Sequence, residues 1–167
     1  TLTAGVNRGE FDVTYGDGTT QTVEDLIFGA GVMWGSIEKP GLYVAANINK
    51  SENHDTDNLG RLIKDSIGVE TFMSYRFDND VRPFVAYNIL DAGDDYVIQP
   101  NFNTVPNDVF KRQFAVIGVH YLIDENTIAY AEARKDFSDF ESEDKDQQSQ
   151  MEASEDDGIA FGFRYKF

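Results

Sequence analysis

Hydrophobic and polar positions alternate with a period of two through most of the chain. In LIFGAGVMWGS, Phe28, Ala30, Val32 and Trp34 form one row against Gly29, Gly31, Met33 and Gly35. GLYVAANINKSE sets Leu42, Val44, Ala46 and Ile48 against Tyr43, Ala45, Asn47 and Asn49. VETFMSYRF places Val69, Thr71, Met73, Tyr75 and Phe77 opposite Glu70, Phe72, Ser74 and Arg76. RPFVAYNI and FAVIGVHYLI continue the pattern, TIAYAEARKDF carries it more weakly, and GIAFGFRYKF carries it strictly. A period of two puts successive side chains on opposite faces of a strand, and helical spacing fits none of these segments. With the shorter TLTAGVN and EFDVTYG, the pattern predicts about nine strands.

The connectors fall into two classes. NRGE, SIEKPG, FDND and IDEN are short, whereas DGTTQTVED and the stretches 53–66, 91–109 and 138–157 are long and polar. An antiparallel meander with short turns at one end and long loops at the other has the layout of a transmembrane β-barrel, whose strands need only about 9–11 residues. A soluble sandwich also has period two, with its polar row in water. Two features favour the barrel. The second row mixes Gly, Asn, Ser and ionisable groups, as a water-filled lumen requires, and Trp34, Tyr75, Phe77, Tyr121 and Phe167 sit beside the short turns like an interfacial girdle.

Composition narrows the partners. The 167 residues suffice for one domain, 1–167, and 30 acidic against 14 basic residues give a formal charge of -16. Phosphate binding needs a basic footprint, so nucleic acid is not an expected partner. There is no cysteine and no apolar run long enough for a membrane helix. The opening TLTAGVN has no Met and no signal segment, which suggests a mature product or a fragment. His54 and His120 lack ligand partners at a metal-binding spacing, and no nucleophile elbow, phosphate loop or dinucleotide fingerprint is present. Asp94-Asp95 and Asp156-Asp157 are expected to be solvated loop carboxylates. No catalytic residue, metal site or cofactor is therefore expected. The stretch from Ser138 to Asp157 carries nine carboxylates against Lys145 alone. It is expected to be a mobile acidic loop, with divalent bridging to lipopolysaccharide phosphates as the functional alternative.

Three segments and the terminus carry a family resemblance. GLYVAANINKSE, SYRFDNDVRPFVAYNI, IGVHYLIDENTIAYAEARKDF and the final GFRYKF resemble successive parts of the Gram-negative general diffusion porins. The resemblance runs from about Glu10 to Phe167 and corresponds to the C-terminal half of such a protein. It implies an all-β antiparallel barrel of roughly 16 strands, trimeric, in the outer membrane of a Gram-negative bacterium. Outer-membrane lipid and lipopolysaccharide would surround it, and small hydrophilic solutes would diffuse through it. Arg82 resembles a wall arginine at the matching Arg-Pro position, and Phe167 resembles the terminal aromatic read by the outer-membrane insertion machinery.

On this reading Glu70, Arg76, Arg82, His120, Glu132, Arg134, Arg164 and Lys166 line an aqueous passage, with Glu132 and Arg134 placed for mutual screening. Gly29, Gly31, Gly35, Gly118 and Gly162 on the same rows favour a wide pore. The alternative is a closed eight-stranded barrel with a structural or surface-interaction role. Counting TLTAGVN and EFDVTYG separately makes the first and last strands run the same way, so the chain is expected not to close by itself.

Overall fold

A computed structural model describes residues 1–14, 18–96 and 108–166. Eight long strands form an antiparallel meander: β1 (Leu2–Thr14), β2 (Thr20–Trp34), β3 (Gly41–Glu52), β4 (Asp65–Arg76), β5 (Val81–Ala92), β6 (Val109–Leu122), β7 (Thr127–Asp136) and β9 (Gly158–Tyr165). A three-residue strand, β8 (Asp139–Glu141), pairs with the start of β6 and brings the sheet to nine strands. One helix, α1 (Lys145–Glu152), precedes β9. Strands β1 and β9 are the two edges, and the sheet is not closed.

The structure corrects the expected element list at its start. Residues 2–7 of TLTAGVN and 10–14 of EFDVTYG belong to one strand, which pairs with β2 without interruption from Leu2↔Val32 to Thr14↔Thr20. NRGE is not a turn. Gly9 stays extended and makes room for its neighbour, because a Cβ there would lie 2.3 Å from Asp25 Oδ1. The DGTTQTVED connector shrinks correspondingly, since Thr20–Asp25 already belongs to β2. With one strand in place of two, β1 and β9 run antiparallel, so the expected parity argument against closure does not hold.

Side-chain chemistry sets the short turns. Gly35 has φ 85°, and a Cβ there would lie 2.1 Å from Leu42 O, so only glycine fits. Between β4 and β5, Phe77 N donates to Val81 O at 2.9 Å, and Asp80 takes up φ 65°. Between β6 and β7, Asp124 Oδ1 accepts from Asn126 N and Thr127 N, both at 2.8 Å.

The long-loop end holds the only cluster of buried apolar residues among those described: Ile63, Tyr96, Phe110, Phe140 and Met151. Phe110 packs against Phe140 at 5.3 Å and Tyr96 at 5.6 Å between ring centroids. The acidic stretch is therefore a folded cap and not a bare mobile loop. Its helix starts at Asp144, whose carboxylate caps Asp146 N and Gln147 N, and seats Met151 in the core. Periodicity does not announce this helix, because Met151 is its single buried residue.

Candidate functional site

Pairing register carries one row of side chains across the whole sheet. Val32 pairs Ala46, Val44 pairs Met73, Met73 pairs Val85, Val85 pairs Ile117, Ile117 pairs Ala133, and Ala133 pairs Ile159. These residues share one face. Its large apolar groups lie open: Phe161 is 83% exposed, Phe163 77% and Trp34 64%. Trp34, Tyr75, Tyr121 and Tyr165 line its short-turn border.

Toward the long loops the same row changes character on every long strand. Arg8 follows Val6, Glu24 precedes Leu26, Lys50 follows Ile48, and Asp65 precedes Ile67. Asp91 follows Ile89, Lys111 lies beyond Ala115, Lys135 follows Ala133, and Asp157 precedes Ile159. Neighbours in this border pair: Arg8 with Glu24 at 2.6 Å, Lys111 with Asp91 at 3.4 Å, and Lys135 with Asp157 at 2.6 Å. The apolar stretch on β2 and β4, Leu26–Trp34 and Ile67–Tyr75, is about 26 Å of strand at about 3.3 Å per residue. At the tilt of about 40° that strands of a closed barrel take, that length would span about 20 Å.

The other face is mixed. Glu70, Arg76, Arg82, His120, Glu132, Arg134 and Arg164 all lie on it by register, and Lys166 lines a hollow on the same side. Their partners are mostly not one another. Arg76 pairs with Asp80 at 2.6 Å and donates to Glu38 O. Arg82 donates to Ile37 O at 3.0 Å and meets His120 Nδ1 at 2.9 Å. Arg134 pairs with Glu155 and with Asp136, and sits 4.1 Å over the Phe114 ring. The expected mutual screening of Glu132 and Arg134 is thus replaced by pairing to the cap and to the end of β7, where carboxylates approach Arg134 directly. Arg164 lies 5.7 Å over Tyr130. Glu70 shares a hollow of about 380 Å³ with Thr3, Asn47 and Asn88. Phe167 lies outside the described residues.

Two features of this face escape the sequence rows. Tyr43, Phe72, Phe84 and His120 form a chain of ring contacts across β3 to β6, at 6.0, 5.6 and 4.5 Å. Two of the glycines expected to widen a pore lie under such rings: a Cβ on Gly118 would lie 2.6 Å from Phe84 and one on Gly162 3.0 Å from Tyr130. Gly35 belongs to a turn. Phe72 and Phe84 do fall on the polar rows in the alternation, so the available signal was a bulky ring directly opposite a glycine on the neighbouring strand.

The cap is held by a buried carboxylate. Asp57 accepts from Leu59 N, Arg61 N, Arg61 Nε and Tyr96 Oη at 2.7–2.9 Å, four donors in all. Asn58 bridges from Arg112 on β6 to Met151 O on α1. Burial and the bond to Asp57 raise the Tyr96 phenol above its ordinary value, so it remains a donor. His54 Nδ1 meets Asp25 at 3.1 Å. Among the described residues no group of three His, Cys, Asp or Glu is placed to hold a metal.

No known family model matches the chain, and no curated protein matches it in sequence.

Proposed function

We propose that the chain is part of the wall of an outer-membrane general diffusion pore, corresponding to the C-terminal half of a barrel of roughly 16 strands. The observation that carries this reading is the uniform apolar face, edged by aromatic rings at one border and by charge at the other. Such a face suits hydrocarbon between two interfaces, and the mixed face then meets water. The pore acts by steric sieving, with wall charges biasing ion entry. Glu70 opens onto the mixed face beside Asn47 and Asn88, while Arg76 and Arg134 are matched by carboxylates. Arg82, Arg164 and Lys166 oppose this, and the formal charge of -16 sets the bias toward cations. The open edges β1 and β9 join further strands, because an unpaired backbone group in lipid costs several kcal/mol. Assembly into trimers, surrounding lipopolysaccharide and recognition of Phe167 by the insertion machinery follow from the same reading.

The test is conductance of the complete barrel in planar bilayers. Stepwise openings proportional to salt concentration are expected, with swelling of vesicles in small sugars. Glu70→Gln should lower the cation-to-anion permeability ratio. A protein that inserts and never conducts overturns the pore.

One observation favours a second reading. Eight long strands leave β1 antiparallel to β9, so these edges can in principle pair and close a small barrel with a structural or surface-interaction role. Cysteine pairs across β1 and β9 that oxidise within a single chain in the membrane would select it.

A further inference from the structure

Arg82 is a buried arginine with an unusual choice of partners. It is 6% exposed, and its guanidinium reaches the carbonyl of Ile37 at 3.0 Å and Nδ1 of His120 at 2.9 Å. A guanidinium only donates. Nδ1 must therefore offer its lone pair, which places the imidazole proton on Nε2 and leaves the ring neutral. A second proton would convert Nδ1 to a donor, abolish the bond and set two cations in contact.

The surroundings give a protonated ring little compensation. Arg164 on β9 adds positive charge beside the ring, and Arg76 on β4 lies beside Arg82, its own charge paired with Asp80 at 2.6 Å. On β5 the Phe84 ring lies 4.5 Å from the imidazole, and on β7 Tyr130 is its register partner. Glu132, the carboxylate on that adjacent strand, is one register step away, opposite Gly118.

What hangs on Arg82 is the turn between β2 and β3. Ile37 and Glu38 lie in this turn, and their carbonyls accept from Arg82 and Arg76, both on the mixed face. A hollow of about 720 Å³ separates the turn from Asp124, Asn126 and Lys166 on the far side of the same border. The turn is thus drawn over the mixed face by two side chains, one of which relies on a neutral His120. We infer that the turn at 35–40 is a strap across this end of the sheet, released from its Arg82 tether when His120 takes up a proton. Acid frees the strap.

The chain contains no cysteine, so a single label reports the strap in the full protein. A spin label on Ile37→Cys is followed from about pH 7.5 down to about pH 3, from above the usual histidine range to well below it, with a label on Glu125→Cys as a control for general loosening. Expected is a slow label at neutral pH that becomes several-fold faster in acid, with the control unchanged. His120→Asn supplies an amide oxygen where Nδ1 stood and does not titrate, so its label stays slow at both pH values. His120→Phe removes the acceptor, and its label is fast at both. A label in the His120 protein that ignores pH overturns the strap, as does an equal acid response in His120→Asn. The readout is motion and not current, so it stands apart from the test of conduction.

Discussion

Between Ser138 and Tyr165 the chain passes from a region that buries its apolar groups to one that displays them. Phe140 and Met151 vanish into the cap, with Met151 at 0% exposure, while Ile159 and Phe161 stand 83% exposed on β9. The cap is built as a soluble protein is, around a small apolar core and a satisfied carboxylate. The sheet inverts that arrangement. An apolar face left open in this way needs a cover, and on the proposed reading that cover is hydrocarbon. The lesson is that an apolar residue's fate is set by the face it takes, inward in the cap and outward on the sheet.

The largest expected effect comes from placing a charge on either side of β9. Phe161→Arg should prevent folding into lipid vesicles or cost about 2–4 kcal/mol, whereas Ala160→Arg, one residue away on the mixed face, should fold normally. Urea titration in vesicles reads the difference. In the cap, Met151→Ala should cost about 2–5 kcal/mol, confined to the cap. Protease should then cut between Ser138 and Asp157 while the sheet remains protected. Asp57→Asn should loosen the same segment by about 1–3 kcal/mol, because the buried site was organised around an acceptor of four donors.

The smallest effect is a pH dependence at the cap. The Tyr96 phenol is raised by burial first and by Asp57 second. Its contribution is fully present below the ordinary value of 10.0 and is lost as pH rises through the higher folded value. Protease sensitivity of the cap should therefore rise in strong alkali. Tyr96→Phe should remove that dependence while keeping the ring against Phe110.

Strand identity and facing were legible because period two is a strictly local signal. The alternating rows within residues 26–34 and 69–76 each keep to a single face of the sheet. What failed was local chemistry that pairing overrides. NRGE carries turn residues, yet all four stay in a strand because pairing with β2 runs through them unbroken. The cap was illegible for a different reason: its core gathers Ile63, Tyr96, Phe110, Phe140 and Met151 from distant stretches, so no window of sequence contains it. The candidate site was half legible. Its side chains share one face, as the alternation predicts, but their partners Ile37 O, Glu38 O and Glu155 lie in a turn and a loop, where alternation says nothing.

The central claim is that the apolar face meets lipid and the mixed face meets water. Spin labels at single cysteines test it most directly, with collision rates measured against oxygen, which concentrates in hydrocarbon, and against a polar nickel complex. Labels at Val32, Met73 and Phe163 should favour oxygen, and labels at Gly31, Glu70 and Arg164 should favour nickel. Labels at Val32, Met73 and Phe163 that meet neither reagent, because a second protein layer covers them, would contradict the account.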